Sequence, residues 1–213
     1  MRVGLINGSP KLRRSASGCI LQYLQPLLER EGHNVDTFAL NRPHVDPQVA
    51  RELSSCQTLV FAFPLYVDGV PSHLLSCLLQ LEEDLAGSAG GITVYAIANC
   101  GFHEGHQARW ALNILEHWCR RTGLSWGFGI GFGGGGMLTS IQNVPLGAGP
   151  TKNLEKALRE LVSSANRGAG GENVFTAVNL PKLVYKLAAE IGWCSAAKAN
   201  GLKIRDLLLR RGN

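Results

Sequence analysis

The sequence predicts an α/β protein: a doubly wound, five-stranded parallel sheet of strand order 2-1-3-4-5, followed by a C-terminal helical extension. Three observations carry this. Short, nearly continuous apolar runs alternate with amphipathic helical patterns, as buried parallel strands joined by crossover helices require. Glycine or proline closes most of these segments. The 213 residues are 45% hydrophobic and 17% charged, which suits one well-buried domain of ordinary size plus a further segment.

Val3–Ile6 is the first strand, and the first helix follows over Gly18–Arg30, ending at Gly32. Asn34–Leu40 is the second strand. A short helix over Pro47–Ser55 leads into the third strand, Thr58–Phe63, which Pro64 stops. The next helix spans Pro71–Leu85 and closes at Gly87; proline suits a first helical turn, where its missing N–H has no partner to lose. Ile92–Ala98 is the fourth strand. A helix over Gly105–Arg121 ends at Gly123, glycine-rich Ser125–Ile130 is the fifth strand, and a helix over Lys152–Asn166 covers the sheet. Right-handed crossovers restrict the topology, and ligands bind beyond the carboxyl ends of such strands where the order reverses. The loops after strands 1, 3 and 4 are therefore expected to converge on one crevice. They are also the loops of unusual composition.

The first loop, Asn7 to Ser17, is rich in small and hydroxyl residues. A buried strand, a tight loop and a helix start gather backbone N–H groups and the positive end of a helix dipole at one point, which suits phosphate. Ser9, Ser15 and Ser17 add hydroxyls, and Ser17 reads as the helix N-cap. Walker A spacing is absent, and so is Gly-x-Gly-x-x-Gly after the first strand. Gly131, Gly133 and Gly136 match that fingerprint, but no apolar helix opens behind them; the run reads as a flexible or closely approached loop, placed to lie over a ligand.

The second loop, Pro64-Leu65-Tyr66-Val67-Asp68-Gly69-Val70-Pro71, is stiffened by two prolines and offers apolar surface at an exposed place, as a planar ligand needs. The third, Asn99-Cys100-Gly101-Phe102-His103-Glu104-Gly105-His106, combines a polar amide with a glycine that permits close backbone approach. Its two histidines are a weak metal pattern, and no metal is expected.

These loops, with Gly8-Ser9-Pro10-Lys11 in the first, resemble the NAD(P)H-dependent FMN reductase family of flavodoxin-like proteins, over about residues 1–165. The end Lys198-Ala199-Asn200-Gly201-Leu202-Lys203 resembles a bacterial branch labelled NAD(P)H-dependent oxidoreductase. The resemblance implies noncovalent FMN, with phosphate held by Ser9, Lys11, Ser15, Ala16 and Ser17. It implies that Pro64, Leu65, Tyr66 and Val67 border the ring, and that Asn99, Cys100 and Gly101 contact its pyrimidine side. It further implies NADH or NADPH as cosubstrate, hydride transfer to flavin N5, and a small-molecule electron acceptor: a flavin, quinone, nitro or azo compound. A homodimer or higher homo-oligomer is also implied. The alternative is an FMN electron carrier or regulatory module without NAD(P)H turnover.

The six cysteines are scattered singly, without a Cys-x-x-Cys, which argues against zinc and clustered iron–sulfur sites. Only Cys100 sits where thiol chemistry is reasonable, although the need for a small residue explains it equally well. The net charge of +5 resides in residues 180–213, which hold seven Lys/Arg against two Asp/Glu. No basic-aromatic platform accompanies it, so nucleic acid is not an expected partner. No run of about 18 apolar residues occurs. The chain opens directly on a strand with no room for a signal peptide, so the cytoplasm is the expected location. Residues 1–168 are expected to form the FMN-binding domain and 169–213 a basic helical extension. In the latter, Leu180, Leu183, Val184, Leu187, Ala188 and Ile191 follow helical spacing after Pro181. That face is expected to pack on its own domain or a second subunit rather than on a membrane. Lys203–Arg211 reads as a second short helix or a frayed end.

Overall fold

The computed structural model describes residues 1–11, 13–86 and 91–208. Gly87 as a helix stop, Leu12 and the end of the segment running to Arg211 lie outside the described residues. The chain divides into two units, Met1–Asn179 and Leu180–Asn213.

In the first unit, β1 (Arg2–Asn7), β2 (Asn34–Ala39), β3 (Thr58–Pro64), β4 (Thr93–Asn99), β5 (Ser125–Gly133) and β6 (Val174–Ala177) form one parallel sheet of order 2-1-3-4-5-6. The expected order is present and carries one strand more. Val174–Ala177, expected in the extension, pairs with Ile130–Gly133 and belongs to the first unit, which runs to Asn179 rather than 168. Gly168, where a left-handed φ of 58° caps the preceding helix, ends that helix and not the domain.

Helices α1 (Ala16–Arg30), α2 (Pro47–Ser54), α3 (Ser72–Ala86), α4 (Arg109–Thr122), the short α5 (Gly135–Leu138) and α6 (Lys152–Arg167) cover the sheet. α2, α3 and α4 pack in succession on one face, and α1 packs with α5 and α6. β3 and β4 are buried along almost their whole length, as a sheet covered on both faces demands. Phe61 meets Trp118 edge-on at 5.8 Å between ring centroids, and Tyr95 meets Phe128 likewise at 5.5 Å. The Tyr95 hydroxyl is satisfied by Ala169 O at 2.9 Å. The helix expected from Gly105 begins as a 3-10 turn over Gly105–Ala108 before α4 proper.

In the second unit, α7 (Lys182–Ala199) follows Pro181, and a 3-10 turn spans Ile204–Leu208. The Lys203 N–H donates to Asp206 Oδ2 at 2.8 Å. Among the described residues no helix is long and apolar enough to cross a membrane.

Candidate functional site

The strand order reverses between β1 and β3, and the carboxyl ends of β1, β3 and β4 open there into a cleft of about 260 Å³. Ser9, Lys11, Ser15, Ala16 and Ser17 line it from the first loop, Pro64, Leu65 and Tyr66 from the second, and Asn99, Cys100 and Gly101 from the third. Of the residues expected at the site, Val67 alone is not among the lining. Gly136 and Thr139, in and after α5, complete the wall. The glycine run signalled the first of these; nothing in the sequence singled out Thr139.

The first loop is built from its own polar side chains. Gly8 leaves the sheet through a gap in which a Cβ would stand 2.6 Å from Leu74 Cδ2. Asn7 Oδ1 then accepts the Ser9 N–H (3.1 Å), and Ser9 Oγ accepts the Lys11 N–H (3.2 Å), two successive side-chain turns. Ser15, and not Ser17, is the N-cap of α1. Its backbone is extended (φ −95°, ψ 146°), as a cap requires, and its Oγ accepts the Gly18 N–H at 3.0 Å. Asn7 Nδ2 approaches the same oxygen at 3.4 Å. Ser17 lies within the first turn.

The three serines are buried, yet all line the cleft. Each Oγ receives a hydrogen from the protein: Ser9 from Lys11 N–H, Ser15 from Gly18 N–H, and Ser17 from Asn99 Nδ2 at 2.9 Å. Among the described residues none of the three donates to a protein group. Their hydroxyl hydrogens are therefore the part left for a ligand. First-turn N–H groups of α1, which lack intrahelical partners, face the same end of the helix, and Lys11 adds a cation. No acidic side chain lies among the described lining residues. The arrangement suits an anion.

In the second loop Tyr66 and Gly69 exchange backbone hydrogen bonds at 3.1 and 3.0 Å around Val67 (φ 48°) and Asp68 (φ 58°). Two left-handed central residues make this a two-residue hairpin turn. It holds Tyr66 half-exposed on the cleft wall and turns Val67 wholly to solvent, which is why Val67 leaves the lining. Leu65 N–H donates to Asn99 O at 2.8 Å and ties this loop to the third.

The third loop is fastened to β5 and α5. Cys100 N–H donates to Phe132 O (3.0 Å), and Cys100 O accepts from Gly135 N–H (2.8 Å). The Cys100 thiol is buried, and burial pushes its pKa up, so at neutral pH it is a protonated thiol and a poor nucleophile. Backbone meets backbone beside it: a Cβ on Gly133 would stand 2.0 Å from His103 O, and one on Gly105 2.2 Å from Thr176 O. By contrast, a Cβ on Gly101 or Gly136 would meet nothing within 4 Å. Gly133 is thus closely approached and Gly136 is not, and the run expected as a flexible or closely approached loop instead forms the end of β5 and the start of α5. His106 packs on the ring of Phe175 at 4.6 Å.

No protein-family model matches the sequence, and no match to it is found among curated proteins. Solved structures share its fold. A flavone reductase aligns with 81% of this chain and 66% of its own length at TM-score 0.59 and 9% identity. A flavodoxin described as WrbA-like, from Agrobacterium tumefaciens, aligns with 78% of this chain and 96% of its own, at TM-score 0.55 and 12% identity. The rubredoxin oxygen:oxidoreductase of Desulfovibrio gigas aligns with 78% of this chain at TM-score 0.53 and 15% identity, this chain spanning 35% of its length. The fold is flavodoxin-like.

Proposed function

We propose that the protein is an FMN-dependent oxidoreductase that takes hydride from NADH or NADPH and passes the electrons to a flavin, quinone, nitro or azo compound. The observation that carries this reading is the set of hydrogen-bond donors at the β1–β3 switch point, lining one cleft together with the apolar surface of Leu65 and Tyr66. A phosphate joined to a planar ring needs both. Structural neighbours named as reductases and oxidoreductases support the kind of chemistry.

Ser9, Lys11, Ser15, Ala16 and Ser17 would hold the phosphate, and Pro64, Leu65 and Tyr66 would border the ring. The backbone of Asn99, Cys100 and Gly101 would meet its pyrimidine side. FMN, when bound, supplies hydride acceptance at N5 and electron delivery to a second substrate. The chain's own contribution is to bind and orient. Tyr66 is held in place by the two-residue turn behind it, and the third loop is fixed on β5, so the wall is formed before a ligand arrives. No side-chain acid or base is required for hydride transfer, and the protonated Cys100 thiol offers no competing nucleophile. A homodimer or higher homo-oligomer in the cytoplasm is part of the proposal.

The test is the visible absorbance of the purified protein, followed by anaerobic addition of NADH and, separately, NADPH. A flavin spectrum bleached rapidly by either is the expected result and identifies the donor. A bound flavin that stays oxidised favours the electron carrier or regulatory module. No bound flavin after reconstitution with FMN overturns the reading.

A further inference from the structure

We infer that Asn99 is a positioning residue that fixes the polarity of the Ser17 hydroxyl, so that Ser17 donates a hydrogen bond to the ligand's phosphate. This rests on the reading of the cleft as an FMN site.

Phe63 settles the orientation of the amide. Its carbonyl oxygen can only accept, and it lies 2.9 Å from Asn99 Nδ2, so the atom at that position bears hydrogens. The same Nδ2 lies 2.9 Å from Ser17 Oγ, so the hydroxyl oxygen is the acceptor in that contact. Both amide hydrogens are committed inside the protein, and the Asn99 side chain has no N–H left for a ligand. Ser17 is 1% exposed, lines the cleft and donates to no other group among the described residues. Its single proton is therefore available to an acceptor in the cleft. A hydroxyl already receiving a hydrogen bond is a stronger donor in turn.

The side-chain type matters here. A carboxamide has two hydrogens for two acceptors, Phe63 O and Ser17 Oγ. A hydroxyl has one, and a carboxylate has none and would draw the Ser17 proton toward itself, away from the cleft. The Asn99 side chain thereby couples the end of β3, the end of β4 and the first turn of α1 through one group, and acts on the phosphate through Ser17.

Dissociation constants for FMN and for riboflavin, which lacks the phosphate, are measured by flavin fluorescence for wild type, Asn99→Ala, Ser17→Ala and the double variant. Asn99→Ala and Ser17→Ala are each expected to weaken FMN by roughly tenfold to a hundredfold, the range for a hydrogen bond to a charged group. Riboflavin should change much less, and the double variant should bind FMN no worse than Ser17→Ala alone. Asn99→Asp should lower the preference for FMN over riboflavin at least as far as Asn99→Ala does. Equal weakening of both flavins by Asn99→Ala means a purely structural role and overturns the inference, as do FMN penalties that multiply in the double variant. If the wild type binds neither flavin, the FMN reading fails by itself and inorganic phosphate becomes the probe. Phosphate should then raise the Tm of the wild type and of neither single variant. An equal rise in all three, or none in the wild type, overturns the inference.

Discussion

Ser15 caps α1 and also lines the cleft, and two substitutions separate those roles. Ser15→Ala removes the oxygen that accepts the Gly18 N–H. Loss of such a cap costs about 1 kcal/mol, which lowers Tm by roughly 2–4 °C in a chain of this size. Ser15→Asp keeps an oxygen for Gly18 and sets a negative charge at the positive end of the helix, so ligand-free stability is retained or rises by up to about 1 kcal/mol. The same carboxylate stands on the cleft wall. Two like unit charges about 5 Å apart repel by about 3 kcal/mol at an effective dielectric constant of 20, on the order of a hundredfold in affinity. The two assays should therefore rank the variants differently, with Asp first or equal first in one and last in the other. In thermal melts of ligand-free protein, Asp equals or exceeds Ser, and Ala is lowest. In fluorescence titrations with FMN, Ser binds best, Ala less well and Asp worst. An Asp variant that binds FMN like wild type removes the phosphate from this loop. An Asp variant that melts as low as Ala shows that the Ser15 oxygen is not the cap.

The Ser9→Ala/Ser17→Ala double variant should lose FMN on gel filtration while its far-ultraviolet circular dichroism is unchanged; full retention would place the phosphate elsewhere. Gly133→Ala drives a methyl group into the carbonyl of His103 and should destabilise by about 1–3 kcal/mol, read as a lower urea midpoint, since neither backbone can turn aside. An unchanged midpoint would contradict the close approach of the third loop to β5. Burial pushes the Cys119 thiol up to about 12, so the native state keeps a proton that the unfolded thiol gives up nearer pH 9. The unfolded state then binds fewer protons, and stability falls as pH rises from about 9 toward 12, by about 1–2 kcal/mol at pH 10. Urea titrations across that range should show the loss, with a shallower slope in Cys119→Ala; identical slopes would refute it.

The parallel core was legible because its strands are apolar on both faces: Thr58–Phe63 and Ile92–Ala98 need no partner to be recognised. The three loops were legible because Ser9, Tyr66 and Asn99 follow directly on such strands. What escaped depended on neighbours. Gly131 and Gly133 resemble loop residues in sequence, yet they extend β5, because their lack of side chains admits the Gly105 turn against the sheet. Val174–Ala177 is too short, and too close behind Gly168–Gly171, to stand out as a strand; its pairing with β5 defines it. Ser15 and Ser17 offer the same hydroxyl two residues apart, and only the backbone angles decide which one caps. The solvent-facing direction of Val67 comes from the left-handed pair in its turn, which no apolar pattern records.

Gly101 and Gly136 sit on the cleft wall with empty space where their side chains would be. The aperture there is held open by missing atoms rather than by a rigid frame. A single-residue exchange at either position would narrow the entrance while leaving the anion loop, the sheet and the buried serines untouched. Under the proposed function, the size of acceptor admitted is then set by these two glycines and can be altered one residue at a time. An engineer wishing to exclude bulky ligands from the cleft would begin at these two positions.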